Sequence, residues 1–146
     1  KSVKYYEDLI YLISETEDQI WDIDVDNYKK ENIELMLDYG MQIKKALGSD
    51  HNATATLITK IMLGIFGNVI ALDTYNKTAF NISNYNTFKE DTFMKLKNYY
   101  DDHKIEIDSI KISTIDYYTS EETDRLYPKI KIIDMIGWIE GQKNNQ

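Results

Sequence analysis

The chain has 146 residues and a mass of 17.2 kDa, the size of one domain. Its 25 acids and 17 bases give a formal charge of −8 and a pI near 4.7, so nucleic acid and anionic membrane repel it at long range while basic partners attract it. It contains no cysteine, which excludes disulfides, a thiol nucleophile and sulfur-ligated zinc or iron–sulfur sites, and no apolar run reaches the ~18 residues of a membrane span.

In chain order, Val3, Tyr6, Ile10, Ile13 and Ile20 recur at three- and four-residue steps and predict a first helix over about Val3–Trp21. The segment 22–27 reads as a loop that caps a second helix, about Tyr28–Leu47, with Ile33, Met36, Leu37, Met41, Lys44 and Leu47 on one stripe. Gly48 is its stop, and Ser49 or Asp50 caps the next helix. In that third helix Leu57, Ile58, Ile61, Met62, Ile65 and Phe66 cover more than one side, as expected of a central buried helix. Gly67 and Asn68 end it, Val69–Leu72 is an apolar connection, and Asp73 caps a short helix to about Phe80.

Thr87–Glu90 matches a capping box and opens a long helix carrying Phe88, Phe93, Leu96, Tyr100, His103, Ile107 and Ile110. Ile105–Ile112 also alternates like a strand, but the register continuing from Leu96 favours helix. A second box at Thr119–Glu122 predicts a helical turn. Pro128 suits the first turn of the last helix, lined by Ile132, Ile133, Ile136 and Ile139 and ended by Gly141, with a tail fraying from about residue 142. The expectation is one compact all-α domain, residues 1–146, of six or seven helices around a central hydrophobic helix.

The charge is uneven. Residues 1–50 hold 6 bases and 12 acids, residues 51–100 hold 5 bases and 3 acids, and residues 101–146 hold 6 bases and 10 acids. The most electronegative stretch is Glu15, Glu17, Asp18, Asp22, Asp24 and Asp26, with no base among them. Asp22-x-Asp24-x-Asp26 opens like a calcium loop, but Asn27 and Ile33 stand where the motif needs glycine and a bidentate glutamate, so a solvated acidic loop is the reading. Asp101, Asp102, His103, Glu106 and Asp108 could suggest a divalent metal. On a helix, however, Asp101 and Asp102 diverge and His103 falls on the apolar stripe, which makes it a core histidine. His51 is expected to be exposed. No metal site and no cofactor is expected. There is no H-E-x-x-H, no phosphate-cradling glycine loop and no G-x-S-x-G elbow. Twelve tyrosines, including three adjacent pairs, suit interfaces.

The run Thr59-Lys60-x-x-Leu63-Gly64-x-Phe66-Gly67, continuing to Ala71, Asp73 and Tyr75, and the later Tyr127-Pro128-x-x-Lys131-x-x-Asp134-Met135-x-x-Trp138 resemble a family of uncharacterised bacterial proteins over roughly the C-terminal two thirds. The family tends to carry Cys, Pro and Arg where this chain has Asn68, Ile70 and Thr74, and the resemblance implies a fold but no activity. The middle of the chain also resembles the helix-hairpin-helix DNA glycosylases. That likeness implies Gly48 at a phosphate-binding hairpin and Asp73 as the aspartate acting on the sugar, although Asp50 replaces the hairpin's second glycine and no lysine is present there.

These residues support three readings. The first is a non-enzymatic acidic protein that binds a basic protein partner stoichiometrically, such as a host nuclease or defence complex, with Glu15–Asp26 and Asp101, Asp102 and Asp108 standing in for phosphates. The second is a nucleic-acid-binding relative of the glycosylases, using Gly48, Lys60 and Lys77 with Lys89, Lys95 and Lys97 gathered on one face. The third is a homodimer formed through tyrosines. Lysine outnumbers arginine 16 to 1, with Arg125 alone, and isoleucine and asparagine are abundant, a bias expected of an AT-rich bacterium, phage or plasmid. The chain opens on Lys1, so its natural start is expected upstream; nothing in it reads as a targeting segment, and a cytoplasmic location is expected.

Overall fold

The computed structural model describes residues 6–48 and 53–143. Its elements are α1 (Glu7–Ser14), α2 (Asp18–Trp21), a 3-10 turn (Val25–Asn27), α3 (Lys30–Ala46), α4 (Ala55–Ile65), α5 (Thr74–Ala79), α6 (Glu90–Asp102), α7 (Lys104–Ser109), β1 (Ser113–Ile115), β2 (Glu122–Leu126) and α8 (Lys129–Lys143). The chain is mostly helical, as expected, but not all-α.

The expected first helix is two. The Ser14 hydroxyl donates to the Tyr11 carbonyl at 2.7 Å and the Thr16 hydroxyl to that of Leu12 at 2.9 Å, drawing off carbonyls at the helix end, and Glu17 is extended. Val3, at its expected start, lies outside the described residues.

The hub is α3. Ile33, Met36, Tyr39, Gly40 and Ile43 are buried, and the helix packs on α1, α2, α4 and α6. Met41 and Lys44, expected on the buried stripe, are exposed: the inward stripe is displaced by one position, to Gly40 and Ile43. At Gly40 a Cβ would lie 2.3 Å from the Phe88 ring, so the small residue lets that ring close on the helix.

The expected central helix is α4, and it is buried on one side only. Ile58, Thr59 and Met62 are buried, whereas Leu57 and Gly64 are exposed. The middle of the molecule is shared with the apolar link Val69, Ile70, Ala71 and Leu72, all buried. Thr54 caps α4 by accepting from Leu57 N at 3.2 Å; the expected caps Ser49 and Asp50, and His51, lie outside the described residues.

The long helix expected from Thr87 breaks at His103 into α6 and α7, and Thr87–Glu90 forms no capping box: Thr87 is buried and Lys89 takes the cap position without a side-chain bond. The favoured helical register holds through Ser109 in α7, residues 110–112 join neither helix nor strand, and β1 starts only at Ser113. β1 and β2 pair antiparallel, Ser113 opposite Leu126 and Ile115 opposite Glu122, with an irregularity between. Thr119–Glu122 is therefore hairpin turn and strand rather than a helical start. Asp116 Oδ1 accepts from the N–H groups of Tyr118 and Thr119, each at 2.9 Å, and Ser120 takes φ 59°.

In α8, Ile130, Ile132, Ile133, Gly137 and Gly141 are buried, while Ile139 is 49% exposed. Gly141 does not end the helix. A Cβ there would lie 2.2 Å from the Tyr75 carbonyl oxygen, and one at Gly137 would lie 2.1 Å from Asn76 Oδ1. Gly141 lets the two backbones meet, and Gly137 makes room for the side chains of Asn76 and Phe80.

Candidate functional site

The six acids of Glu15–Asp26 do not act as one row. Asp24 and Asp26 are engaged by the last helix. Asp24 accepts from the N–H groups of Val25 at 2.7 Å, Lys129 at 2.8 Å and Ile130 at 2.8 Å, so one carboxylate caps both the 3-10 turn and α8. Asp26 accepts from Lys129 Nζ at 2.6 Å, and that bond holds the lysine above its ordinary pKa. The acidic loop is thus a clasp between distant parts of the chain.

Glu15, Glu17, Asp18 and Asp22 differ. All four are exposed, and no ion-pair partner stands beside them among the described residues. Glu15 and Glu17 line a groove of about 320 Å³ between the first two helices and α3. Its other walls are Leu12, Thr16, Gln19, Ile20, Leu35, Tyr39 and Gln42. The Tyr39 hydroxyl is hydrogen-bonded to Thr16, and burial holds that phenol above its ordinary pKa.

In the second acidic cluster, Asp101 and Asp108 are paired within the chain. Lys97 Nζ bonds Asp101 at 2.5 and 2.6 Å. Asp108 accepts from Lys104 at 2.8 Å and from the Tyr100 hydroxyl at 2.9 Å, bonds that hold its carboxyl below the usual range and the lysine above its own. Asp102 is exposed and unpaired among the described residues. His103 is a half-buried helix end stacked on Tyr99 at 4.3 Å, not a core histidine.

The residues of the glycosylase likeness are dispersed. Asp73 caps α5, accepting from Asn76 N at 3.1 Å, with Lys60 Nζ 4.0 Å away. Gly48, at φ 83°, ends α3; Asp50 lies outside the described residues. Lys77 is half-buried on α5. Lys89 and Lys95 line a separate depression, and Lys97 is ion-paired to Asp101. Among the tyrosines, Tyr117 and Tyr118 at the hairpin tip are 90% and 91% exposed.

Two features were missed in the sequence. Buried Asp134 accepts from Ala71 N and Asn76 Nδ2, each at 2.9 Å, and from Lys131 Nζ at 3.0 Å. Buried Thr59 accepts from Leu72 N at 3.0 Å. These bonds pin the Val69–Leu72 link to α4, α5 and α8; a carboxylate inside the apolar row Ile132–Ile136 was the available signal. The other feature is a groove of about 430 Å³ where the two family-like motifs meet, lined by Lys60, Leu63, Gly64, Phe66 and Gly67 from one and Tyr127, Pro128 and Lys131 from the other, with Arg125 of the hairpin.

Among the described residues no group of three or more His, Cys, Asp and Glu side chains is placed to hold a metal ion, and no helix is long and apolar enough to cross a membrane. No family model, curated protein or solved structure matches the chain.

Proposed function

We propose that the protein is a non-enzymatic, stoichiometric binder of a basic protein, and that it docks through the face carrying Glu15, Glu17, Asp18 and Asp22. The observation that carries this reading is the groove that Glu15 and Glu17 line. Carboxylates without internal cations stand beside an apolar floor of Leu12, Ile20 and Leu35. A lysine or arginine of the partner has that chemistry: its methylene stem covers apolar surface and its head meets the carboxylates. Asp101 and Asp108 leave the proposed surface because Lys97 and Lys104 already neutralise them.

The test begins with capture from a lysate of the source cells. The purified partner is then titrated against wild type and the E15Q/E17Q/D18N/D22N variant. Binding that weakens at least about tenfold between about 0.1 and 0.5 M salt, and similarly in the variant, supports the reading. Equal affinity in either comparison overturns phosphate mimicry by this face. A gel shift with duplex or single-stranded DNA that is abolished by Gly48→Asp would instead place the nucleic-acid reading first.

A further inference from the structure

Five of the six glycines have a local reason to be glycine: Gly48 and Gly67 sit at φ 83° and 64°, and a Cβ at Gly40, Gly137 or Gly141 would collide with a neighbour at 2.1–2.3 Å. Gly64 has neither. It lies inside α4, a Cβ there would meet nothing within 4 Å, and in a helix interior glycine is about fivefold less favourable than alanine. The bare backbone at Gly64 faces the groove where the two motifs meet.

The electrostatics of that groove point to a ligand class. Lys131 is matched by Asp134 at 3.0 Å and Lys60 stands 4.0 Å from Asp73, whereas Arg125 is exposed and has no carboxylate partner among the described residues. The site therefore carries one unbalanced positive charge on a protein whose formal charge is −8. Guanidinium groups favour carboxylate and phosphate oxygens, which they can grip at two points. Leu63, Phe66, Tyr127 and Pro128 supply apolar lining, and a volume of about 430 Å³ falls in the range of small-molecule sites.

We propose that this groove binds a small organic anion with a flat apolar body, which lies against the α4 backbone at Gly64 while Arg125, with Lys60 and Lys131 alongside, meets its anionic head. The site is independent of the acidic face proposed above. Glycine is required here because a methyl group at position 64 would occupy the space of the flat body.

The experiment titrates the whole chain by calorimetry with adenosine monophosphate, benzoate and inorganic phosphate, using wild type, Gly64→Ala and Arg125→Gln. The expected result is binding of at least one of the two flat anions, weakened about fivefold or more in each variant. Gly64→Ala should at the same time raise the melting temperature by a few degrees, about what removing an unneeded helix glycine gives. Binding of the phosphate ester or of the carboxylate alone identifies the head group within the same class. Three outcomes overturn the proposal: no binding of either flat anion up to about 10 mM, inorganic phosphate binding as tightly as adenosine monophosphate, or unchanged affinity in Gly64→Ala.

Discussion

Asp24 shows how much one carboxylate can organise. Its oxygens receive the N–H groups of Val25, Lys129 and Ile130, so Asp24→Ala leaves the first amides of α8 without their acceptor. The expected loss is about 2–4 kcal/mol, read as a lower urea midpoint at unchanged slope. Asp24→Asn keeps one acceptor oxygen and should lose about half as much. Asp134 is the buried counterpart: Asp134→Ala removes the acceptor of Ala71 N, of one of the two Asn76 Nδ2 hydrogens (the other keeps the Ala71 carbonyl) and of the Lys131 ammonium, and about 3 kcal/mol is expected in the same measurement. Neither role was legible in advance. Asp24 read as one member of an acidic loop, because its partners lie more than a hundred positions away and nothing local announces them.

At the scale of elements, α5 and α8 pack closely because Gly137 and Gly141 present no side chain. Gly141→Ala sets a methyl against the backbone of Tyr75, which cannot swing aside as a side chain would. Despite the better helix propensity of alanine, a net loss of about 1–3 kcal/mol is expected in thermal unfolding. The hairpin carries a different prediction. N–H groups of Thr119 and Tyr118 hold the Asp116 carboxyl below its ordinary value of 3.8. The folded hairpin therefore favours the carboxylate, so its contribution is complete above that ordinary value and fades as pH falls through the lowered one. Amide exchange at Tyr118 and Thr119, corrected for its intrinsic pH dependence, should lose protection in acid, and Asp116→Asn should flatten that dependence. Helices with one strong stripe were readable from the sequence, and so was the cap at Asp73. The breaks at Glu15 and His103 were not, because the apolar spacing continues past both; at the first, the Ser14 and Thr16 hydroxyls take carbonyls at the helix end, bonds the spacing does not announce. The hairpin was not visible: the alternating isoleucines stop short of β1, and Thr119–Glu122 suited a turn as well as a cap.

Over the whole molecule, surplus negative charge opposes the compact state, while the ion pairs exposed on both sides, Lys30–Glu34, Lys89–Asp91 and Lys143–Glu140, contribute little each. Salt should therefore stabilise: raising it from about 0.02 to 0.5 M should increase the melting temperature. A decrease would mean that the pairs at Asp26, Asp101 and Asp108 outweigh the general repulsion. The candidate acidic face was half legible. Composition located the electronegative stretch, but dividing it into Glu15, Glu17, Asp18 and Asp22 on the surface and Asp24 and Asp26 within the clasp required knowing that the start of α8 packs against this loop. The cationic groove was not legible at all, since Lys60, Arg125 and Lys131 come from three segments that only the fold brings together.

The clasp also bears on vectorial synthesis. A ribosome makes the loop around Asp24 long before residues 129 and 130 exist, so the growing polypeptide holds a carboxylate waiting for amides still to be translated. Native closure of the loop around Asp24 thus waits until those later residues have been made. Stalled or prematurely terminated chains lacking α8 would present the quality-control machinery with an open molecule, however well their earlier helices had formed.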